Sequence, residues 1–211
     1  MVLQAKLEKA FAAVGAVSAI ATVCFQLYLF KNDSTKGIGV LLIRFFSYFT
    51  ILSNIAVSIC FFAIAFTKQN QLQFWKLNTT KTAILVYILV AGIVYNVVLR
   101  TLWFSTGNQK LVDEMLHVVM PLFFLMYWWL FSQKTAFNRK HVTNSLLFPI
   151  INLVWVLIYG AFSNWYPYPF VDAFNHGYLK AAISSVVLLG VFGLLSLFFF
   201  RWLSVKKEVR L

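Results

Sequence analysis

Polar and ionisable side chains form three short patterns within otherwise apolar sequence. Arg44, Ser47, Thr50, Asn54 and Ser58 recur at spacings of three and four. At about 100° per residue they fall in an arc of about 120°, one face of a helix. Phe, Ile, Leu and Val fill the opposite face. Asn96, Arg100 and Trp103 share a second face. Asp113 and His117 stand one turn apart, a spacing at which a carboxylate can orient an imidazole and raise its basicity. Each group also has a plain structural use. Ser, Thr and Asn link membrane helices by hydrogen bonds, Arg100 can snorkel to headgroups, and Asp113 can be an interface acid. Five polar positions in one stripe, Arg included, point beyond that to a polar cavity, because such groups are expensive in a bilayer.

Three chemistries fit these residues. Neutral histidine is the usual general base near neutral pH, and His117 is the only histidine inside an apolar segment; His141 and His176 lie in connections. A second option is metal chemistry. His117, His176, Asp113, Glu114 and Asp172 fall on one side of the chain's topology, and two His plus a carboxylate can hold a zinc with an open position. No HExxH or paired spacing is present, so the expected metal and cofactor content is none. The third is a carrier, in which Arg44 and Arg100 act as counter-ions for a lipid or a small anion. The connection 163–177 bears on all three. Pro167 and Pro169 stiffen it, and Tyr166, Tyr168 and their aromatic neighbours suit a membrane interface. Together with Asp172 and His176 it forms either a lid over the cavity or an interfacial belt.

The elements that position these groups follow from composition. Of 211 residues, 61% are hydrophobic and 11% charged, far from the soluble average of about 45–50% and about 25%. Disordered, collagen-like and disulfide-stapled chains are excluded, and Cys24 and Cys60 read as small packing residues. A spanning helix needs about 20 apolar residues. Six segments qualify: about 10–30, 38–66, 82–104, 111–131, 145–162 and 178–203. They show no period-2 alternation, so they are helices rather than barrel strands. The expected fold is all-α: one transmembrane domain over 1–211, a six-helix bundle, with the first helix retained rather than cleaved as a signal peptide.

Charge sets the expected orientation. The net charge is +12, which in a soluble domain would suggest nucleic acid; here loop basicity explains it and no nucleic-acid partner is expected. Lys6, Lys9, Lys68, Lys76, Lys81, Lys134, Arg139, Lys140 and the tail residues Arg201, Lys206, Lys207 and Arg210 gather on one side. Lys31, Lys36, Arg44, Arg100, Lys110 and Lys180 lie on the other. Both termini are therefore expected in the cytoplasm. Counting rise from the outer ends of the helices puts Thr50 and His117 level, in the outer half of the bundle.

Three stretches carry a resemblance. Residues 44–54 (RFFSYFTILSN) resemble the helix-2 signature of a bacterial six-helix integral membrane family, and residues 116–121 (LHVVMP) its helix-4 signature. Residues 166–170 (YPYPF), followed by Asp172 and Gly177-Tyr178, resemble its last outer loop. That family is similar to the androgen-induced-gene proteins of animals, which are intramembrane hydrolases of fatty acid esters of hydroxy fatty acids. The resemblance covers the chain in order and spacing. It implies a multi-pass protein of the bacterial plasma membrane, with membrane lipid around it and a lipid ester as substrate. It also implies Thr50 as nucleophile and His117 as base; Ser47 and Ser53 flank Thr50. An acyl-enzyme route would then need donors for the oxyanion, for which Asn54, Asn96 and Arg100 are candidates. Arg100 or Arg44 could instead hold a carboxylate at the water boundary. Asp113 would orient His117.

Overall fold

The computed structural model describes residues 2–68 and 70–205; the tail charges Lys206, Lys207 and Arg210 lie outside them. Among the described residues every regular element is helical, and six helical segments are long and apolar enough to cross a membrane. They are α1 (Val2–Asn32), α3 (Phe49–Phe66), α5 (Asn78–Val97, extended by a 3₁₀ turn at Leu99–Thr101), the pair α6 (Gly107–Glu114) and α7 (Met120–Phe131), α8 (Arg139–Ser163) and α10 (Tyr178–Val205). Shorter helices are α2 (Ile38–Ser47), α4 (Gln73–Lys76) and α9 (Ala173–His176).

Lipid tails are as apolar as leucine, so helices in a membrane associate through close packing and hydrogen bonds rather than hydrophobic exclusion. α1 shows how. Ala12, Gly15, Ala16 and Ala19 form a stripe of small residues, and the three alanines are fully buried. A methyl group at Gly15 would stand 2.5 Å from the Phe61 ring, so this face brings α1 directly onto α3. Phe61, Phe124, Tyr127 and Trp128 fill the space beyond it, and Trp128 donates to Thr82 Oγ1 at 2.8 Å, tying α7 to α5.

Two departures from regular helix position the buried polar groups. The first is a break. The sequence predicts one helix over 38–66, and the structure divides it at Tyr48, whose backbone is extended (φ −73, ψ 118). Neither proline nor glycine is present at the break. Ser47 Oγ turns back to the Ile43 carbonyl at 2.7 Å, a bond that weakens a helix locally. From α8, Asn152 Nδ2 donates to the Ser47 carbonyl and Trp155 Nε1 to Ser47 Oγ. The exposed end of α2 is thus satisfied by side chains of another helix, as backbone at membrane depth must be.

The second departure lies between α6 and α7, where residues Met115–Val119 form a turn of π-helix. The Met120 N–H bonds back to the Met115 carbonyl, so it is withdrawn from Leu116, its α-helical partner. Pro121 has no N–H to offer Leu116 or His117 in its place. Side chains take over both carbonyls: Asn54 Nδ2 donates to Leu116 O at 3.3 Å, and Asn96 Nδ2 to His117 O at 3.3 Å. Gly92 lets α5 come this close, because a methyl there would stand 2.7 Å from His117 O.

Candidate active site

The break and the π turn face each other. Thr50, in the first turn of α3, is buried (7% exposed), and so is His117 in the π turn (6% exposed). His117 Nε2 lies 3.3 Å from Thr50 Oγ1. His117 Nδ1 lies 2.9 Å from the Asp113 carbonyl oxygen. A carbonyl only accepts, so Nδ1 carries the hydrogen and the neutral ring presents a lone pair on Nε2 to the threonine hydroxyl. The imidazole also stacks on Tyr95, with centroids 3.9 Å apart and planes inclined by 13°. One tautomer and one ring plane are therefore held by groups that do not touch Thr50.

Tyr168, from the loop 163–177, completes the cluster. Its phenol faces the Thr50 hydroxyl and the backbone N–H groups of Phe49 and Thr50. Those N–H groups belong to the first turn of α3, where an α-helix offers donors without intrahelical partners and a partial positive charge. The N-cap residue Tyr48 provides no side-chain cap there. Desolvation pushes the Tyr168 phenol well above the ordinary phenol value, so it stays protonated and remains a donor.

Two spaces meet at Thr50 and Tyr168, which line both. One is a cavity of about 510 Å³ whose wall includes His117, Gln26, Gln109, Asp113 and Trp103. The other is a narrow apolar slot between Phe49, Val90, Val94, Leu153, Val156 and Phe192. A bound molecule reaching from one space into the other would pass the Thr50 hydroxyl.

The remaining residues singled out in the sequence take different places. Asn54 spends its two amide hydrogens on the Thr50 and Leu116 carbonyls. Asn96 spends its two on the Gly92 and His117 carbonyls. Both therefore hold backbone, with no donor left for a ligand. Asn54 Oδ1 is buried without a hydrogen-bond partner among the described residues. Arg100 forms an ion pair with Glu114 and lies over the Tyr95 ring at 5.4 Å, outside both spaces. Arg44 lies 4.7 Å from the Trp165 ring centroid, where it pins the loop to α2. Asp113 reaches His117 through its carbonyl, while its carboxylate accepts from Gln109 Nε2 at 2.9 Å. Ser47 is part of the helix break rather than of the cavity wall.

The loop packs over the break through Tyr48, which meets Trp165 and Tyr168 edge-on at 5.9 and 5.8 Å. Tyr166 is seated on Gly160, where a methyl would come within 2.1 Å of its ring. Pro167 is buried, and Pro169 opens the short 3₁₀ turn at 169–171. Asp172 caps α9 through Asn175, and His176 is exposed. No group of three His, Cys, Asp or Glu side chains comes together as a metal site among the described residues. His117, His176, Asp113, Glu114 and Asp172 thus form no such group.

Sequence reasoning missed Asn152, Trp155, Gly92 and Tyr95. Only Asn152 carried a usable signal, as a lone amide within an apolar run.

What fold and site define is an all-helical, multi-pass membrane-type protein with a buried threonine–histidine pair at a helix break. The chain matches no family model, no curated protein and no solved structure.

Proposed function

We propose that this protein is an intramembrane hydrolase of lipid esters, with Thr50 as nucleophile and His117 as general base. The observation that carries the reading is the oriented contact between His117 Nε2 and Thr50 Oγ1. A threonine hydroxyl is a weak nucleophile until a base removes its proton, and the Nδ1 bond to Asp113 O presents the basic nitrogen to it. Thr50 Oγ attacks the ester carbonyl carbon as Nε2 takes the hydroxyl proton. The oxyanion is met by the N–H groups at the start of α3, which the Tyr168 oxygen faces beforehand, and by the Tyr168 hydroxyl. Collapse breaks the ester C–O bond, and Nε2–H protonates the departing alkoxide. Water from the larger cavity then attacks the acyl-threonine, giving its proton to Nε2; release of Thr50 takes that proton back and frees the acid. The acyl chain lies in the apolar slot and the alcohol portion in the larger cavity, with Asn54 and Asn96 as positioning residues. Fatty acid esters of hydroxy fatty acids have this two-armed shape, as the resemblance implies.

The same reading takes the bacterial plasma membrane from the resemblance, and from loop charge both termini in the cytoplasm and the site in the outer half. Labelling of the purified protein with a fluorophosphonate probe tests the hydrolase. Wild type is expected to be modified at Thr50, and Thr50→Val and His117→Asn are not. A folded wild type that resists the probe and hydrolyses no fatty ester would sink the proposal. One observation supports a second reading: helix breaks at membrane depth also serve carriers, whose half-helix N-termini face anionic groups. A lipid carboxylate bound at the start of α3 without turnover would favour it.

A further inference from the structure

At the opposite end of the bundle, a cavity of about 690 Å³ opens between α1, α3, α5 and the segments joining them. Its wall carries Lys9, Lys68, Lys76 and Lys81, with Glu8 as the only acid among the described residues. Lys81 is the unusual member. It is 5% exposed, whereas lysines are almost never fully buried unless paired. No carboxylate lies within 4.0 Å of its ammonium among the described residues, since the one ion pair there is Arg100–Glu114. Its contact is with the face of Tyr127, 5.7 Å away. Glu8 is nearby but accepts from the Tyr127 hydroxyl at 2.7 Å.

Lys81 also stands in the first turn of α5, where the helix dipole disfavours a cation and favours an anion. Leu77, the N-cap of α5, provides no side-chain cap, and Leu77 and Asn78 both border the cavity. The pocket therefore joins a buried cation without a direct ion-pair partner among the described residues, three further lysines and an uncapped helix N-terminus. Lys76 is already posed by the Lys68 and Thr67 carbonyls, at 2.6 and 3.4 Å.

We propose that this pocket is a binding site for a phosphate group, filled by the headgroup of an anionic phospholipid from the adjoining leaflet. The phosphate completes the charge of Lys81 and takes the free N–H groups at the start of α5. Lys76 and Lys68 close on it from the rim. Basic pockets between membrane helices hold anionic headgroups in this manner. The site is separate from the Thr50–His117 pair and does not depend on its chemistry.

The test is native mass spectrometry of the detergent-solubilised full chain, with phosphatidylglycerol or phosphatidylcholine added. Thermal unfolding of the same samples provides the second readout. Wild type is expected to retain phosphatidylglycerol over phosphatidylcholine, and Lys76→Gln to weaken that retention about fivefold, the effect of one lysine near a phosphate. Lys81→Met removes the buried charge at nearly constant volume. It is expected to abolish retention, and to melt above wild type without lipid while gaining nothing from phosphatidylglycerol. Thr50→Val is expected to bind as wild type does, so a failed hydrolase reading leaves this result intact. Displacement of phosphatidylglycerol by millimolar inorganic phosphate would support the phosphate site and assign its supply to solution. Equal retention of the two lipids, or retention unchanged in Lys76→Gln, would overturn the proposal; that variant keeps the buried lysine and carries the test if Lys81→Met does not fold.

Discussion

At the scale of single residues, the proposed hydrolysis divides the work between two hydroxyls. In that proposal Thr50 supplies the nucleophilic oxygen, and valine reproduces its shape without that oxygen. Thr50→Val is therefore expected to lower ester turnover by at least about 10³-fold with little change in the melting temperature. Parallel kinetics and thermal unfolding in detergent would check this. Turnover unchanged in Thr50→Val would move the nucleophile elsewhere. Tyr168 differs in kind, because in the proposed reaction its protonated phenol donates to an oxyanion that develops only in the transition state. Tyr168→Phe is expected to reduce kcat by about 10²-fold, as for loss of one oxyanion donor, with KM nearly unchanged. A rise in KM at constant kcat would instead make Tyr168 a binding residue for the ester. His117 was visible in the sequence as the one histidine inside an apolar segment, and Thr50 as one hydroxyl of a polar stripe at matching depth, singled out by the resemblance. The tautomer was not, since it depends on a backbone carbonyl, that of Asp113, rather than on the carboxylate that the spacing suggested.

At the scale of elements, the site depends on two irregularities that local sequence does not announce. Apolar run lengths located the six spans, because membrane insertion selects on length and composition. The division at Tyr48 contains no proline or glycine; it exists because Asn152 and Trp155 of α8 take the bonds that Ser47 would otherwise leave open. The π turn similarly exists where Asn54 and Asn96 can pair the carbonyls that Pro121 and Met120 leave free. Such tertiary partners are invisible to a periodicity argument. Asn54→Leu is expected to cost about 1 kcal/mol, the scale of a hydrogen bond between membrane helices, and to reduce turnover because the His117 ring loses its fixed height. Gly92→Ala is a sharper test, since its methyl would stand 2.7 Å from His117 O, a backbone atom that cannot swing away. It is expected to lower both melting temperature and turnover. Gly190→Ala, with nothing within 4 Å of the added methyl, is expected to change neither. Equal behaviour of the two alanine variants would mean that the π turn is not held by its approach to α5.

At the scale of the whole molecule, chemistry and charge occupy opposite ends of the bundle. The threonine–histidine pair lies toward the connections 98–106 and 163–177, while the lysine pocket lies toward 67–77 and 132–138. The loop-charge rule assigns the lysine end to the cytoplasm, the leaflet whose anionic lipids would fill that pocket. On that orientation the proposed ester site would draw its substrate from the outer leaflet, and its water from outside the cell. Two single-cysteine variants decide the orientation, in a background with Cys24 and Cys60 replaced by alanine. Phe174→Cys marks the loop over the active site and Ala136→Cys the connection between α7 and α8; both positions are exposed. An impermeant maleimide applied to intact cells is expected to label Phe174→Cys and to reach Ala136→Cys only after the membrane is opened. The reverse pattern would put the hydrolase site on the cytoplasmic side and expose the lysines to the other leaflet. Orientation thus couples the two proposals: it decides which leaflet supplies the ester and which supplies the phosphate, although neither pocket needs the other to bind.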